Sequence, residues 1–379
     1  MAASLVKRLV AVVAAALTGA ALAVVPASAS ATPHGDTARS GICRTQVFPV
    51  ALPSGAKESI STQYCVPRGP ARATNTVQVL VHGGTYNHAY WDFPYQRGKY
   101  SYVERANRLG YATVSLDVLG TGASSHPDST EVTFGAIVET VHQVIAQVKQ
   151  GALHRHYAQV MAVGHSFGSA ELIQETAEHH DADALVLTGS GHTTSSFVKT
   201  HDKEVYMPAN RIPRFSSLDD GYQASAPGKR DVILYYPPLA DPRVVAYDAA
   251  TEDVISTTQQ STRPASLISL MRQIDVPVLL VDGNMDNHYC TPDVDGATDR
   301  DLGCASTTQF YDHEAPNFTG TDCFSAMLVR SGHDINLHVT APASYRDIFR
   351  WETATLPARA TTPHCALHGA LPTPGIPLS

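Results

Sequence analysis

The sequence predicts an α/β protein: a mostly parallel central sheet with helices on both faces, an N-terminal β-hairpin and an inserted cap. Three observations lead there. Short apolar runs rich in β-branched residues recur along the chain, as strands buried on both faces require. Segments with apolar residues at helical spacing separate those runs. One stretch, residues 191–264, breaks the alternation with turn residues and prolines.

Composition sets the outer limits. The chain has 379 residues, 43% hydrophobic and 16% charged. That is too apolar for a disordered chain and long enough for a large core. The net charge is −8 and no long basic run occurs, so nucleic acid is not an expected partner. No fixed-period repeat is visible, which disfavours solenoids and propellers.

The first residues have the layout of a secretory signal peptide. Lys7 and Arg8 precede an uncharged, Ala/Val/Leu-rich run over 9–25. Pro26 and the small residues 27–31 follow, offering cleavage after Ala29 or Ala31. Residues 1–31 are therefore expected to be a leader and the mature protein to be secreted. No other apolar run is long enough to span a bilayer, so no integral membrane segment is expected in the mature chain.

Six cysteines agree with export: Cys43, Cys65, Cys290, Cys304, Cys323 and Cys365. An even number in a secreted chain predicts three disulfides. Residues 42–52 and 58–66 read as the two strands of a hairpin turned at Pro53-Ser54-Gly55. Cys43 and Cys65 each lie 11 residues from Ser54, so the turn sets them face to face. Nearness in sequence then favours Cys290 with Cys304, leaving Cys323 with Cys365. No C-x-x-C pair occurs, so disulfides outrank a zinc site, and neither metal nor cofactor is expected.

The remaining elements follow in order. A strand over 77–81 ends at His82-Gly83-Gly84. A helix over 100–109 stops at Gly110, and a strand over 112–116 runs into a turn-rich segment at 117–122. A helix over 134–149 aligns Ile137, Val141, Val144, Ile145 and Val148 on one face. Strand 159–163, helix 166–179 and strand 184–188 come next. Within the insertion, 244–259 reads as helical. Strands over 276–282 and 326–330 and a helix over 343–355 close the pattern.

The strongest chemical signal is Gly164-His165-Ser166-Phe167-Gly168, a G-x-S-x-G between a strand and a helix. The turn is so tight that its flanking positions must be nearly free of side chains. It lifts the serine hydroxyl above the sheet and sets the next backbone N–H and the helix N-terminus behind it.

With that elbow the chain resembles the α/β-hydrolase superfamily, and within it secreted serine esterases and lipases. The resemblance runs from the hairpin at Cys43 to the helix near Trp351. It is carried by His82-Gly83-Gly84-Thr85, residues 117–122, the elbow, Gly283-Asn284-Met285-Asp286 and Ser331-Gly332-His333. It implies an α/β-hydrolase fold with core segments 32–190 and 265–379 and a cap over 191–264. It also implies the order serine, acid, histidine, here separated by 120 and 47 residues.

Each role has a physical requirement. A serine needs a base to take its proton as it attacks. His333, in a Gly-His pair after a strand, is the expected base; His338 is the nearest competitor and is expected to be structural. The acid that orients the imidazole is expected near the end of the apolar strand over 276–282, where Asp282, Asp286, Asp293 and Asp295 stand; the family resemblance favours Asp286, after Gly283. An oxyanion needs two aimed N–H donors, expected from Phe167 and Gly84, with Thr85 the alternative to Gly84. Thr85, Tyr90 and Trp91 beside the hole, with Tyr235 and Tyr236 of the cap, are the expected substrate-binding residues.

The expected reaction is hydrolysis of a small-molecule or lipid-like carboxylic ester. Thioesterase, lactonase, amidase and peptidase chemistry use the same three residues. A non-enzymatic binding module is the other class, and it is opposed by all three positions being filled. Gly120-Thr121-Gly122 lacks the third glycine of a dinucleotide fingerprint. No sequence feature speaks to oligomeric state.

Overall fold

Strands β1 (Gly41–Ala51) and β2 (Lys57–Pro67) pair antiparallel with Cys43 opposite Cys65, and a disulfide joins the two. The computed structural model describes residues 40–69, 74–290, 302–356 and 367–371. The expected leader and Cys365 lie outside these residues. A second disulfide joins Cys290 to Cys304, and Cys323 is also disulfide-bonded.

The first half of the sheet is built from β3 (Thr76–Val81), β4 (Ala112–Leu116), β5 (Gln159–His165) and β6 (Ala184–Thr188). Between them run α1 (Arg97–Tyr100), α2 (Tyr102–Arg108), α3 (Phe134–Lys149) and α4 (Phe167–His179). Thr133 starts α3 by accepting a hydrogen bond from the Ala136 N–H, and the apolar face read from the sequence is buried.

The segment after β6 makes α5 (Ser196–Val205), β7 (Tyr206–Pro208), β8 (Tyr222–Ser225), α6 (Arg230–Leu234), α7 (Pro242–Thr251), β9 (Ile255–Ser256) and α8 (Thr257–Thr262). β7, β8 and β9 form a separate antiparallel sheet. The helix expected over 244–259 is thus broken. Residues 252–254 lead into β9, and Ser256 caps α8 through the N–H groups of Thr258 and Gln259.

After α9 (Ile268–Met271) the main sheet resumes with β10 (Val278–Gly283), α10 (Thr307–Glu314), β11 (Phe324–Val329), α11 (Ala341–Thr355) and the two-residue β12 (Gly369–Ala370). The strand order is β1-β2-β4-β3-β5-β6-β10-β11-β12, antiparallel at β1/β2 and β2/β4 and parallel elsewhere. The mostly parallel α/β-hydrolase sheet expected from the sequence is therefore present. β12 is too short to leave a sequence signal.

Neighbouring strand residues feed opposite cores. Val79, Ala162, Leu185 and Leu280 pack with the apolar face of α3. Leu80, Val163, Val186 and Leu279 pack with Tyr345, Phe349 and Trp351 of α11. That period-2 division explains why the central strands read as continuous apolar runs. Among the described residues no helix is long and apolar enough to cross a membrane.

Candidate active site

Ser166 sits between β5 and α4 at φ 53°, ψ −116°, a backbone region an L-residue enters only under constraint. The constraint is close packing of the flanking glycines. A Cβ on Gly164 would lie 2.7 Å from the Gly168 oxygen, and one on Gly168 would lie 2.4 Å from the Val81 oxygen. The helix therefore packs against β3 and β5 at a distance no larger residue permits. The Ser166 N–H donates to the Thr188 oxygen at 2.9 Å, tying the turn to β6.

β10 and β11 are parallel neighbours, so the loops that follow them leave the sheet side by side. A Cβ on Gly283 would lie 2.3 Å from the Gly332 oxygen, so glycine lets these loops touch. Across that contact His333 Nδ1 donates to Asp286 Oδ2 at 2.7 Å, with both residues buried. Nδ1 thus carries the proton and Nε2 remains a base. The other Asp286 oxygen accepts the His288 N–H at 2.6 Å.

The charges are sorted by environment. Burial opposes ionisation of Asp286, but His333 and His288 outweigh it and hold the carboxyl well below the usual range. Burial also opposes a charged His333, but the Asp286 carboxylate outweighs it and raises the imidazole above the ordinary value. Burial and the adjacent Asp286 push Asp282 well above the carboxylate range, so of these two acids Asp286 is the charged one.

Other histidines hold the pair. The His288 ring stacks on His333 with centroids 3.9 Å apart. His165 is pushed well below the ordinary histidine range by burial and by His333. Its Nε2 meets Asp334 and its Nδ1 meets Thr188 Oγ1, each at 3.1 Å. His338 Nε2 accepts the N–H groups of Tyr236 and Gly332, and its Nδ1 donates to the Asp334 oxygen. With both nitrogens engaged by backbone, His338 shapes the loop that carries His333.

Ser166, Phe167, Gly84, Thr85 and His333 line one cavity of about 390 Å³, and Val198, Tyr206, Ile233 and Leu234 enclose it. Asp286 lies behind His333. Tyr90 and Trp91, expected at the pocket, do not line it. Tyr90 stacks on His165 at 4.4 Å, and Trp91 packs edge-on against Tyr90 and Tyr102. Tyr235 and Tyr236 do not line it either: the Tyr235 hydroxyl donates to Asp248 at 3.0 Å, and the Tyr236 backbone N–H donates to His338. Irregular segments have no periodicity from which side-chain direction can be read. His165, Asp334, Arg230 and Asp248 carry no mark in the sequence because their partners are distant along the chain, and His288 carries none because its stacking on His333 spans 45 residues.

Residues 78–348 match the model of the alpha/beta hydrolase family. No curated protein matches the chain in sequence. Among solved structures, a thermophilic esterase from Thermogutta terrifontis superposes with a TM-score of 0.55 at 13% identity, covering 81% of this chain and 98% of its own. A peroxisomal alpha-beta-hydrolase from Saccharomyces cerevisiae gives 0.53 at 13% identity, over 85% and 92% of the two chains. The enol-lactonase of Burkholderia xenovorans gives 0.51 at 14% identity, over 81% and 100%. At these identities the likeness is one of fold. The family model spans well over half the sequence, and the chain belongs to the alpha/beta hydrolase family.

Proposed function

We propose that this protein is a secreted serine hydrolase that cleaves carboxylic esters through Ser166, His333 and Asp286. The observation that carries the reading is the left-handed Ser166 on the wall of a cavity it shares with His333, whose Nδ1 is bonded to a buried Asp286. In this reading Ser166 Oγ attacks the ester carbonyl and His333 Nε2 takes its proton. The tetrahedral oxyanion is met by the N–H groups of Gly84 and Phe167. His333 returns the proton to the departing alcohol, leaving an acyl-serine. Water, deprotonated by the same imidazole, then releases the acid and restores Ser166. Asp286 keeps the tautomer and stabilises the imidazolium.

Residues 191–264 act as the cap, since Val198, Tyr206, Ile233 and Leu234 supply apolar wall to the cavity. The disulfides and the leader-like residues 1–31 favour an exported protein. The esterase and the enol-lactonase that share the fold are in keeping with ester chemistry.

The test is covalent labelling. A fluorophosphonate probe labels the mature protein once per chain. Ser166→Ala abolishes the label and lowers turnover of p-nitrophenyl esters by several orders of magnitude, on the order of 10⁶-fold. Full turnover in Ser166→Ala would overturn the reading.

A further inference from the structure

We propose a divalent transition-metal site between α3 and the C-terminal end of α4, with His142, Glu175 and Asp181 as its ligands. The three ligand atoms come from separate parts of the chain and lie within 4.8 Å of one another. His142 Nδ1 is 2.8 Å from Asp181 Oδ2 and 3.8 Å from Glu175 Oε1. Those separations bracket the edge of about 3.4 Å expected for tetrahedral bonds near 2.1 Å.

The second observation is an unmet need for a cation. Glu175 is 0% exposed, and its Oε1 has no hydrogen-bond donor. Asp181 Oδ1, also buried, has none either. Two buried carboxylates facing each other without donors are costly unless a proton or a cation lies between them. The nearest amine, Lys149 Nζ, bonds the Asp181 backbone oxygen at 2.7 Å.

The surroundings suit a bound ion. The negative end of the α4 dipole lies beside the cluster and favours positive charge there. His179 stacks on His142 with centroids 3.7 Å apart and a 12° tilt, fixing the ring, while its own Nε2 faces Glu139 at 3.9 Å. One imidazole with two carboxylates suits zinc and its first-row neighbours better than calcium or magnesium, which favour oxygen-only sites. His142, Glu175 and Asp181 are too far apart along the chain to read as a ligand motif, and folding brings them together.

On binding, both carboxyl groups ligate in their ionised form, and His142 shifts its N–H from Nδ1 to Nε2 to offer the Nδ1 lone pair. Glu175 lies nine residues beyond Ser166 along α4, about 13 Å at helical rise, so the ion clamps the helix and takes no part in ester chemistry.

The test uses the mature protein stripped with a chelator and titrated with zinc by calorimetry at pH 7.5. Wild type binds one equivalent at this cluster, and its melting temperature rises. Glu175→Gln and the more exposed Asp181→Asn each weaken that equivalent by about 100-fold or more, while ester turnover stays at the wild-type level. Two other His/carboxylate clusters, at His192/His313/Glu314 and Asp286/His288/His333, are present, so the difference between wild type and variant is the readout. No zinc bound by wild type, or the same affinity and stoichiometry in both variants, overturns the proposal. Neither result bears on labelling of Ser166.

Discussion

Arg230 Nη1 donates to Thr85 Oγ1 at 2.6 Å. Thr85 lies next to Gly84 and is held at φ 61°, a strained region for a β-branched residue. The Asp253 N–H binds its carbonyl at 2.8 Å. Arg230 itself is clamped by Asp248, Nε to Oδ2 at 2.9 Å and Nη2 to Oδ1 at 3.0 Å. The Tyr86 hydroxyl bridges Asp248 to Asp334, the residue after His333. One buried polar network therefore ties residues 230–253 to the loop carrying Gly84 and the loop carrying His333.

From that network, Arg230→Met leaves Asp248 buried without its partner and destabilises the fold by about 3–5 kcal/mol. Arg230→Lys keeps the charge but not the fork. Its folded state survives, while kcat falls by up to about 100-fold, the scale of a 1 Å misplacement, with KM little changed. Melting curves and ester kinetics on both variants check this. Wild-type kcat in Arg230→Lys would separate the network from the proposed oxyanion role of the Gly84 loop.

The pH profile has a signed expectation. In the proposed mechanism His333 must be neutral to take the Ser166 proton, and Asp286 holds it above the ordinary value near 6.5. The wild-type kcat/KM therefore rises with pH through a midpoint above 6.5. Asp286→Asn removes the carboxylate that favours the imidazolium, so the midpoint moves to lower pH as turnover drops. An unmoved midpoint in that variant would assign the rising limb to another group.

The elbow glycines can be tested against an internal control. Alanine at Gly168 brings Cβ to 2.4 Å from the Val81 oxygen, so α4 must move off β3 and carry Ser166 with it. Gly168→Ala is expected to lose both labelling and several degrees of melting temperature. In α3, a Cβ on Gly135 meets nothing within 4 Å. Gly135→Ala is therefore expected to stabilise the protein by up to about 1 kcal/mol, with activity kept.

Local geometry was legible in the sequence and remote geometry was not. Ser166 could be selected because the strand, turn and helix that position it are contiguous. His333 could be selected because it follows an apolar strand in a Gly-His pair, whereas Asp286 needed the family resemblance to set it above Asp282, Asp293 and Asp295; β10 and β11, whose loops carry the two, are neighbours. The Cys43 and Cys65 pair followed from symmetry about one turn. Arg230, Asp248 and Asp334 carry no such mark. Thr85 meets Arg230 across 145 residues and Tyr86 meets Asp334 across 248, and only folding joins them. The aromatics misled for a related reason: Tyr90, Trp91 and Tyr235 are apolar enough for a pocket or a core, and their loops give no period to choose between the two.

Within the insertion, Ile233 and Leu234 rather than Tyr235 line the cavity. Tyr235 spends its hydroxyl on Asp248 and its ring on His338, with centroids 5.4 Å apart. Its neighbours Ile233 and Leu234 face the cavity instead. At about 390 Å³ the cavity is at the small end for a ligand site, so in the proposed ester hydrolysis its walls are expected to limit acyl length. Leu234→Ala opens the wall, and the optimum in a p-nitrophenyl ester series moves to longer chains. Each newly accommodated methylene is worth about 0.8 kcal/mol, roughly fourfold in kcat/KM. Tyr235→Phe deprives a buried carboxylate of a donor and lowers stability by about 1–3 kcal/mol, but the relative rates across the series stay the same. Melting temperature and the ester series measured on both variants distinguish wall from scaffold. A shifted profile in Tyr235→Phe together with an unshifted one in Leu234→Ala would return the role to the tyrosine.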